Sequence, residues 1–412
     1  MPLIDAERLL SDLQRLRAIG AQGPGVVRPA FSAADMEARQ WLKRRYAEAD
    51  LEATIDGVGN VLGRSRHPGK ALLIGSHSDT QPTGGWLDGA LGVIYALEVV
   101  RALKADDATH ALPVDAVSFQ DEESRFVGCL GSRSLTGTLT SEMEQAAVDS
   151  HGLTLADALR EAGLANVPRV HLSSGRYAGF VEAHIEQGPH LEDAKLRIGV
   201  VTGIVGLRSI RFVFRGQQNH AGTTMMTRRR DAATALYELA HRINLEFPKV
   251  AAERSVWTMG RLRVEPNATS IVPGYAELDL QFRDASNAPL DAFEAVVARL
   301  VSEMNARGGV TIEAIGTRTP IAPTLMDADL QAHIEAAAER NAPGKWQRMP
   351  SGAFHDAGII SACIPSAMLF IPSLGGISHD FAEDSREEDI VLGCQVLADA
   401  AASILIERNT NH

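Results

Sequence analysis

Three short apolar runs, 71–76, 113–120 and 364–371, constrain this chain more than any other feature. They are short and largely apolar, without the wet/dry alternation of a half-exposed strand. That pattern suits strands buried on both faces, as in a parallel sheet. Helix-period apolar residues fill 88–103, between the first two runs, so the order strand, helix, strand predicts a βαβ unit. Helical periodicity also covers 4–19, 35–49 and 387–406. Residues 51–62 alternate and are broken by Gly57 and Gly59, which predicts a hairpin. The first run leads into His77 and Asp79, and the second into Asp121, Glu122 and Glu123. In an open α/β sheet, functional groups gather at the carboxyl ends of the strands.

The middle of the chain follows another rhythm. Strand-like alternation at 207–215 is followed by a helix at 231–246, strands at 255–264 and 275–282, a helix at 289–305 and a strand at 310–315. The order β-α-β-β-α-β describes a four-stranded sheet with two helices, a self-contained α+β domain. We therefore expect an inserted domain over 208–317. It splits an α/β catalytic domain of mixed sheet into the segments 1–207 and 318–412.

Composition narrows the partners. The 412 residues are 45% hydrophobic and carry a formal charge of −12, so the chain is globular and its surface repels phosphate backbones and anionic lipid. Aromatics at 5% argue against a base-stacking platform. Neither nucleic acid nor membrane is expected, and the run Arg228, Arg229, Arg230 reads as a solvated helix start. No apolar run approaches the roughly 20 residues of a membrane span. The three cysteines, Cys129, Cys363 and Cys394, form no C-x-x-C pair and no disulfide framework. The start MPLIDAERLL lacks a basic, apolar leader. A cytoplasmic location is expected.

The segment GSHSDTQPTGGWLDGALG, 75–92, places His77 and Asp79 after a strand and Asp88 at a helix start, with Gly84, Gly85 and Gly89 free to turn tightly. Asp79 is positioned to hold His77 through its ring N–H. Taken alone, Asp88 could be a helix cap and His77 a loop histidine. In QDEESRF, 120–126, consecutive acids repel and call for a cation. Glu123 can bind a metal while Glu122 takes a proton from water, although a solvated loop would show the same residues. EAHIEQGPHLE, 182–192, supplies His184, and GGISHDFAEDS, 375–385, supplies His379. A lone histidine in either place is more often structural. As a set beside strands of one sheet, these residues suit zinc, or manganese, cobalt or nickel. Two-metal hydrolases share a carboxylate between ions about 3.5–4 Å apart. No G-x-S-x-G or G-x-G-x-x-G motif is present, which argues against a seryl hydrolase and a dinucleotide enzyme.

Over nearly its whole length the chain resembles the dinuclear metal amidases that include N-carbamoyl-L-amino acid hydrolase, β-ureidopropionase and allantoate amidohydrolase. The motifs that carry the resemblance appear in order: GSHSDTQPTGGWLDGALGV, DEESRFVGCLGSRSLTG, EAHIEQGP, NHAGTTMMTRRRDA, PNATSIVPG, SGAFHDA and GGISHDF. The resemblance implies two divalent metal ions, with His77 and His184 on one, Glu123 and His379 on the other, and Asp88 bridging. It implies Glu122 as the general base. It also implies a homodimer through the inserted lid domain, in which His220 reaches the neighbouring active site. Arg283 would grip the substrate carboxylate, and Gln187, Asn267 and Ser270 would contact substrate.

Three positions depart from the family pattern: Ser124 and Phe354 stand where glycine is usual, and Ser270 where asparagine often precedes the turn. The metal chemistry is untouched by them; the pocket is not. The expected reaction is hydrolysis of a linear C–N bond in a ureido or amide substrate bearing a carboxylate. QPTGG favours an N-carbamoyl amino acid over allantoate. The rivals are an aminoacylase or dinuclear peptidase with the same metal set, and an inactive metal-bearing binding protein, against which the intact Glu122 argues.

Overall fold

A computed structural model describes residues 1–316 and 320–410, and the chain divides into two compact units, 1–202 with 325–412 and 203–324. The expected boundary at 317/318 lies outside the described residues. At the chain's entry to the smaller unit, Leu207 and Ile321 exchange backbone hydrogen bonds, at 2.9 and 3.0 Å, so the two connecting segments pair with each other.

The larger unit is built on a mixed sheet of nine strands among the described residues. Four neighbours at its centre, Ser366–Ile371, Tyr177–Ile185, Ala71–His77 and Val114–Phe119, run parallel. They are buried along their whole length, as their apolar composition requires. The margins are antiparallel: Val61–Arg64 and Glu52–Ile55 form the expected hairpin on one side, and Ile198–Ile204 pairs with Ser366–Ile371 on the other. The helix Ala90–Ala105 links two parallel strands, completing the expected βαβ unit.

The closing helix Glu387–Thr410 starts with Glu387, Glu388 and Asp389, acids that complement a helix N-terminus. Residues 387–409 are long and apolar enough to cross a membrane by length and composition, which corrects the expectation that no such run exists. Small residues and cysteine dilute its apolar face in sequence. In the fold 72% of its most apolar window is buried, with Ile390, Cys394, Leu397 and Leu405 in the core.

The periodicity missed the helix Ala328–Asn341, where an alanine run blurs the stripe, and the strand Ile198–Ile204, which glycine interrupts. It also missed Trp346–Ser351 and the short helices Leu130–Thr136 and Leu155–Glu161.

The smaller unit has a four-stranded antiparallel sheet, ordered Val256–Glu265, Tyr275–Asp284, Gly206–Arg215, Thr311–Gly316. The helices Ala232–Glu246 and Asn287–Ala306 pack on it through a core of its own, with Phe212, Phe214, Phe247, Phe282 and Phe293 buried.

The central strands approach closely. A Cβ on Gly75 would lie 2.0 Å from the Val117 carbonyl oxygen, its cross-strand partner. Gly75→Ala is expected to cost about 1–3 kcal/mol through overpacking. Denaturant unfolding would show this as a lower midpoint at unchanged slope, and an unchanged midpoint would show that the strands can separate at no cost.

Candidate metal centre

The carboxyl ends of the parallel strands converge on Asp88. His77 ends its strand, His184 sits near the end of the next, and the turn 121–124 and the loop bearing His379 follow the other two. Asp88 Oδ1 lies 3.0 Å from His184 Nε2 and 3.5 Å from His77 Nε2. Asp88 Oδ2 lies 3.2 Å from His379 Nε2, which is 3.6 Å from Glu123 Oε1. Two groups of donor atoms result, His77–Asp88–His184 and Asp88–Glu123–His379, each within 4.8 Å of one another. Donors bound tetrahedrally at about 2.0–2.2 Å stand about 3.3–3.6 Å apart, and the observed separations bracket that spacing.

The imidazoles are oriented for this. His77 Nδ1 lies 3.0 Å from the Asp79 carbonyl oxygen, and His184 Nδ1 lies 2.9 Å from the Ile185 carbonyl oxygen. A carbonyl only accepts, so each Nδ1 carries its proton and each Nε2 faces Asp88. Gly89, at φ +65°, makes room: a Cβ there would meet the His77 ring at 2.5 Å.

The expectation for Asp79 needs correcting. Its main-chain carbonyl orients His77, while its carboxylate is 3.8 Å from that ring. The carboxylate instead accepts the backbone N–H groups of Glu122 and Glu123, at 3.4 and 3.2 Å. A two-residue separation lets the backbone oxygen curl under the ring, and the side chain is left to brace the acid turn. Behind it lies the buried Arg39, which bonds Asp35 and the carbonyls of Gly59 and Phe119 and stands 3.8 Å from Asp79.

Several further residues, which carry little signal in the sequence, support the site. Glu383 accepts the N–H groups of Leu87 and Asp88, at 3.1 and 3.0 Å, and a Cβ on Gly85 would overlap its carboxylate. Its only signal was membership of the segment that carries His379. Ser378 bonds both Glu383 and Asp88, and Gln81 bonds Glu123 at 2.7 Å. Gln187, expected against substrate, has its amide nitrogen 2.9 Å from Asp88 Oδ2, and its Oε1 is buried without a hydrogen-bond partner. Ser124 adopts φ +65°, which explains why glycine suits the position. Phe354 is half-buried and precedes His355, whose ring stacks edge-on against His184 at 4.6 Å.

The charges need a cation. Burial works against His77 and His184 holding protons, yet the surrounding acids raise both, His77 well above the usual imidazole value. Burial opposes ionisation of Asp88, but hydrogen bonds from His184, His379 and His77 hold it well below the usual range. Glu123 is pushed up to about 7 by burial and by Asp88, and burial raises Glu122 well above the usual range. The donor set and spacing thus fit divalent cations, with protons as their stand-ins.

The remaining residues lie in the smaller unit. His220 pairs with Ile271, and the Ala221 N–H bonds the Ser270 carbonyl, so the NHAG and PNATSIVPG segments come together there. His220, Asn267 and Ser270 are exposed, and Asn267 has φ +58°. Arg283 is half-buried and bonds Gln281 Oε1.

Residues 73–403 match the family model described as Peptidase family M20/M25/M40. The chain belongs to that family. It is 34% identical to an N-carbamoyl-L-amino acid amidohydrolase of Geobacillus stearothermophilus, over 96% of this chain and 97% of that one. It is also 34% identical to an allantoate amidohydrolase of Escherichia coli, over 91% and 92%. Among solved structures, an amidase of the hydantoinase/carbamoylase family from Burkholderia phymatum superposes with a TM-score of 0.93 at 51% identity, covering 99% of both chains. The protein is therefore a hydrolase of carbon–nitrogen bonds in linear amides, on the M20 fold.

Metal binding should release protons. The hydrogen bond to Asp88 raises His379 to about 9, so a proton must leave before its nitrogen can bind a cation. Zinc affinity is expected to rise with pH up to about that value. Calorimetric titrations in buffers of different ionisation enthalpy should differ, and equal heats would rule the coupling out.

Proposed function

We propose that the protein hydrolyses N-carbamoyl-L-amino acids or N-carbamoyl-β-alanine to the amino acid, carbon dioxide and ammonia. The observation that supports this most is the shared Asp88, with Glu122 Oε2 only 3.7 Å from His77 Nε2. His77 and His184 would hold one ion and Glu123 and His379 the other, with Asp88 between; zinc fits, and manganese, cobalt or nickel are alternatives. Such ions polarise a carbonyl and make water more acidic. Glu122 takes the proton of the attacking water and delivers it to the leaving nitrogen. A buried carboxyl with a raised pKa suits a group that must both accept and give a proton.

His220 is built as a donor. Its Nδ1 accepts the N–H groups of Gly222 and Thr223, at 3.0 and 3.2 Å, so a neutral ring carries its proton on Nε2. That proton can meet the charge developing on the substrate oxygen. Arg283 supplies a planar fork for the carboxylate. Asn267 and Ser270 make further substrate contacts, and Gln187 Oε1 can accept a substrate N–H. The strand Tyr275–Asp284 separates these roles: Arg283 lies eight residues from Tyr275, about 26 Å at the usual strand rise. The His220–Ile271 pair joins at the Tyr275 end. One small substrate cannot span that distance. We therefore assign His220, Asn267 and Ser270 to the active site of a second copy, in a homodimer formed through the inserted domain 208–317. Three free, widely spaced cysteines support a reducing, cytoplasmic setting.

Relatives acting on allantoate match at similar identity, so allantoate is the second candidate substrate. Ammonia release from carbamoyl amino acids, allantoate, N-acyl amino acids and dipeptides by the metal-loaded protein separates the readings, and activity on dipeptides alone would overturn ours. Glu122→Gln should lower turnover by about 100-fold or more with both metals retained. Mixing Glu122→Gln with His220→Ala subunits should restore about a quarter of the wild-type rate, from the one intact site in each mixed dimer. No recovery after subunit exchange would place His220 in its own subunit's site.

A further inference from the structure

A cavity of about 470 Å³ lies within the larger unit, among Pro29, Ala30, Ser32 and residues 79–82, 123–125 and 149–151. Glu123 is part of its wall, so it adjoins the donor group of Asp88, Glu123 and His379. Its volume falls within the range of about 300–1,000 Å³ typical of small-molecule sites. The mechanism above makes no use of it.

The lining mixes apolar surface from Pro29, Ala30 and Pro82 with hydrogen-bonding groups. Ser32, Ser124 and Ser150 bring hydroxyls, Gln81 a carboxamide and His151 an imidazole, and no aromatic ring of Phe, Tyr or Trp is among the described lining residues. Arg125 is committed: Nε and Nη2 bond Asp149 at 3.2 and 2.9 Å, and Nη1 bonds the Ala30 carbonyl at 2.6 Å. Asp79, Glu123 and Asp149 make the wall unfavourable to a further anion. Ser124 keeps a side chain at φ +65°, a backbone conformation in which glycine would be relaxed.

We propose that this cavity receives the substrate's amino-acid side chain, that it takes a neutral hydrogen-bonding group such as a carboxamide or hydroxyl, and that Ser124 helps set this preference. The inference rests on the carbamoyl-hydrolase reading. The carbamoyl end of such a substrate is only a carbon, an oxygen and a nitrogen, far too small for this space. The carboxylate is assigned to Arg283. What remains is the side chain, and the hydroxyls, amide and imidazole of the wall match its hydrogen-bonding atoms.

Two variants outside the catalytic set test it. Ser124→Gly removes a hydroxyl and relaxes the backbone, so it should fold. Ser150→Trp, on an exposed loop, narrows the cavity. The zinc-loaded full chain is assayed on the N-carbamoyl derivatives of glycine, L-serine, L-asparagine, L-leucine and L-aspartate. Wild type should favour asparagine and serine over leucine and aspartate in kcat/KM. Ser124→Gly should lower the asparagine-to-glycine ratio about tenfold. Ser150→Trp should depress every substrate with a side chain and spare the glycine derivative. Unchanged ratios in both variants, or a preference for leucine, overturn the subsite. If no carbamoyl compound is hydrolysed, the reaction reading fails separately, and calorimetry with free L-asparagine and glycine reads the subsite directly. Asparagine binding lost in Ser150→Trp supports it. Equal asparagine binding in variant and wild type, or none in either, overturns it.

Discussion

The carboxylate of Asp88 holds three imidazoles within about one coordination sphere, and much of the larger unit serves that arrangement. Two of its neighbours are strand residues, and a third comes from the loop after the strand Ser366–Ile371. Acids crowd around it: Glu122, Glu123 and Glu383 are all raised by burial and by the charge of Asp88. Such a cluster is electrostatically incomplete without positive charge. Protons supply it in the metal-free protein, and divalent cations supply it better, since they can sit between donors that protons can only link in pairs.

Holding like charges together requires a rigid frame. Backbone N–H groups do much of this work: those of Leu87 and Asp88 hold Glu383, and Asp79 holds those of Glu122 and Glu123. Two buried arginines near the N-terminus extend the frame. Arg28 bonds the carbonyls of Ser78, Leu16 and Ile19, and Arg39 bonds those of Gly59 and Phe119. Each ties the first 40 residues to a loop that carries site residues. An arginine suits this role because its five donors satisfy several carbonyls at once without proton loss.

The smaller unit is separate in its packing. Its phenylalanine cluster is its own, and its loops are organised by contacts within the unit. His220 shows this, held as an Nε2 donor by two backbone N–H groups within its own loop. The long strand Tyr275–Asp284 holds Arg283 and the His220 loop at opposite ends.

Sequence alone determined the central strands and the type of site. Runs such as ALLIGS can satisfy their burial only inside a sheet, and acids and histidines at strand ends need a shared cation whatever the details. It also determined the α+β character of the inserted unit, because alternation and helical period are local properties. Only the tertiary structure decided which atom of Asp79 orients His77, that Glu383 and Ser378 fix Asp88, and that Ser124 borders a cavity. These facts depend on groups far apart in the chain and on backbone atoms, which carry no residue-type signal. The same reason hid the helix Ala328–Asn341 and the burial of the closing helix: whether a weakly patterned segment is covered depends on what the rest of the fold brings against it.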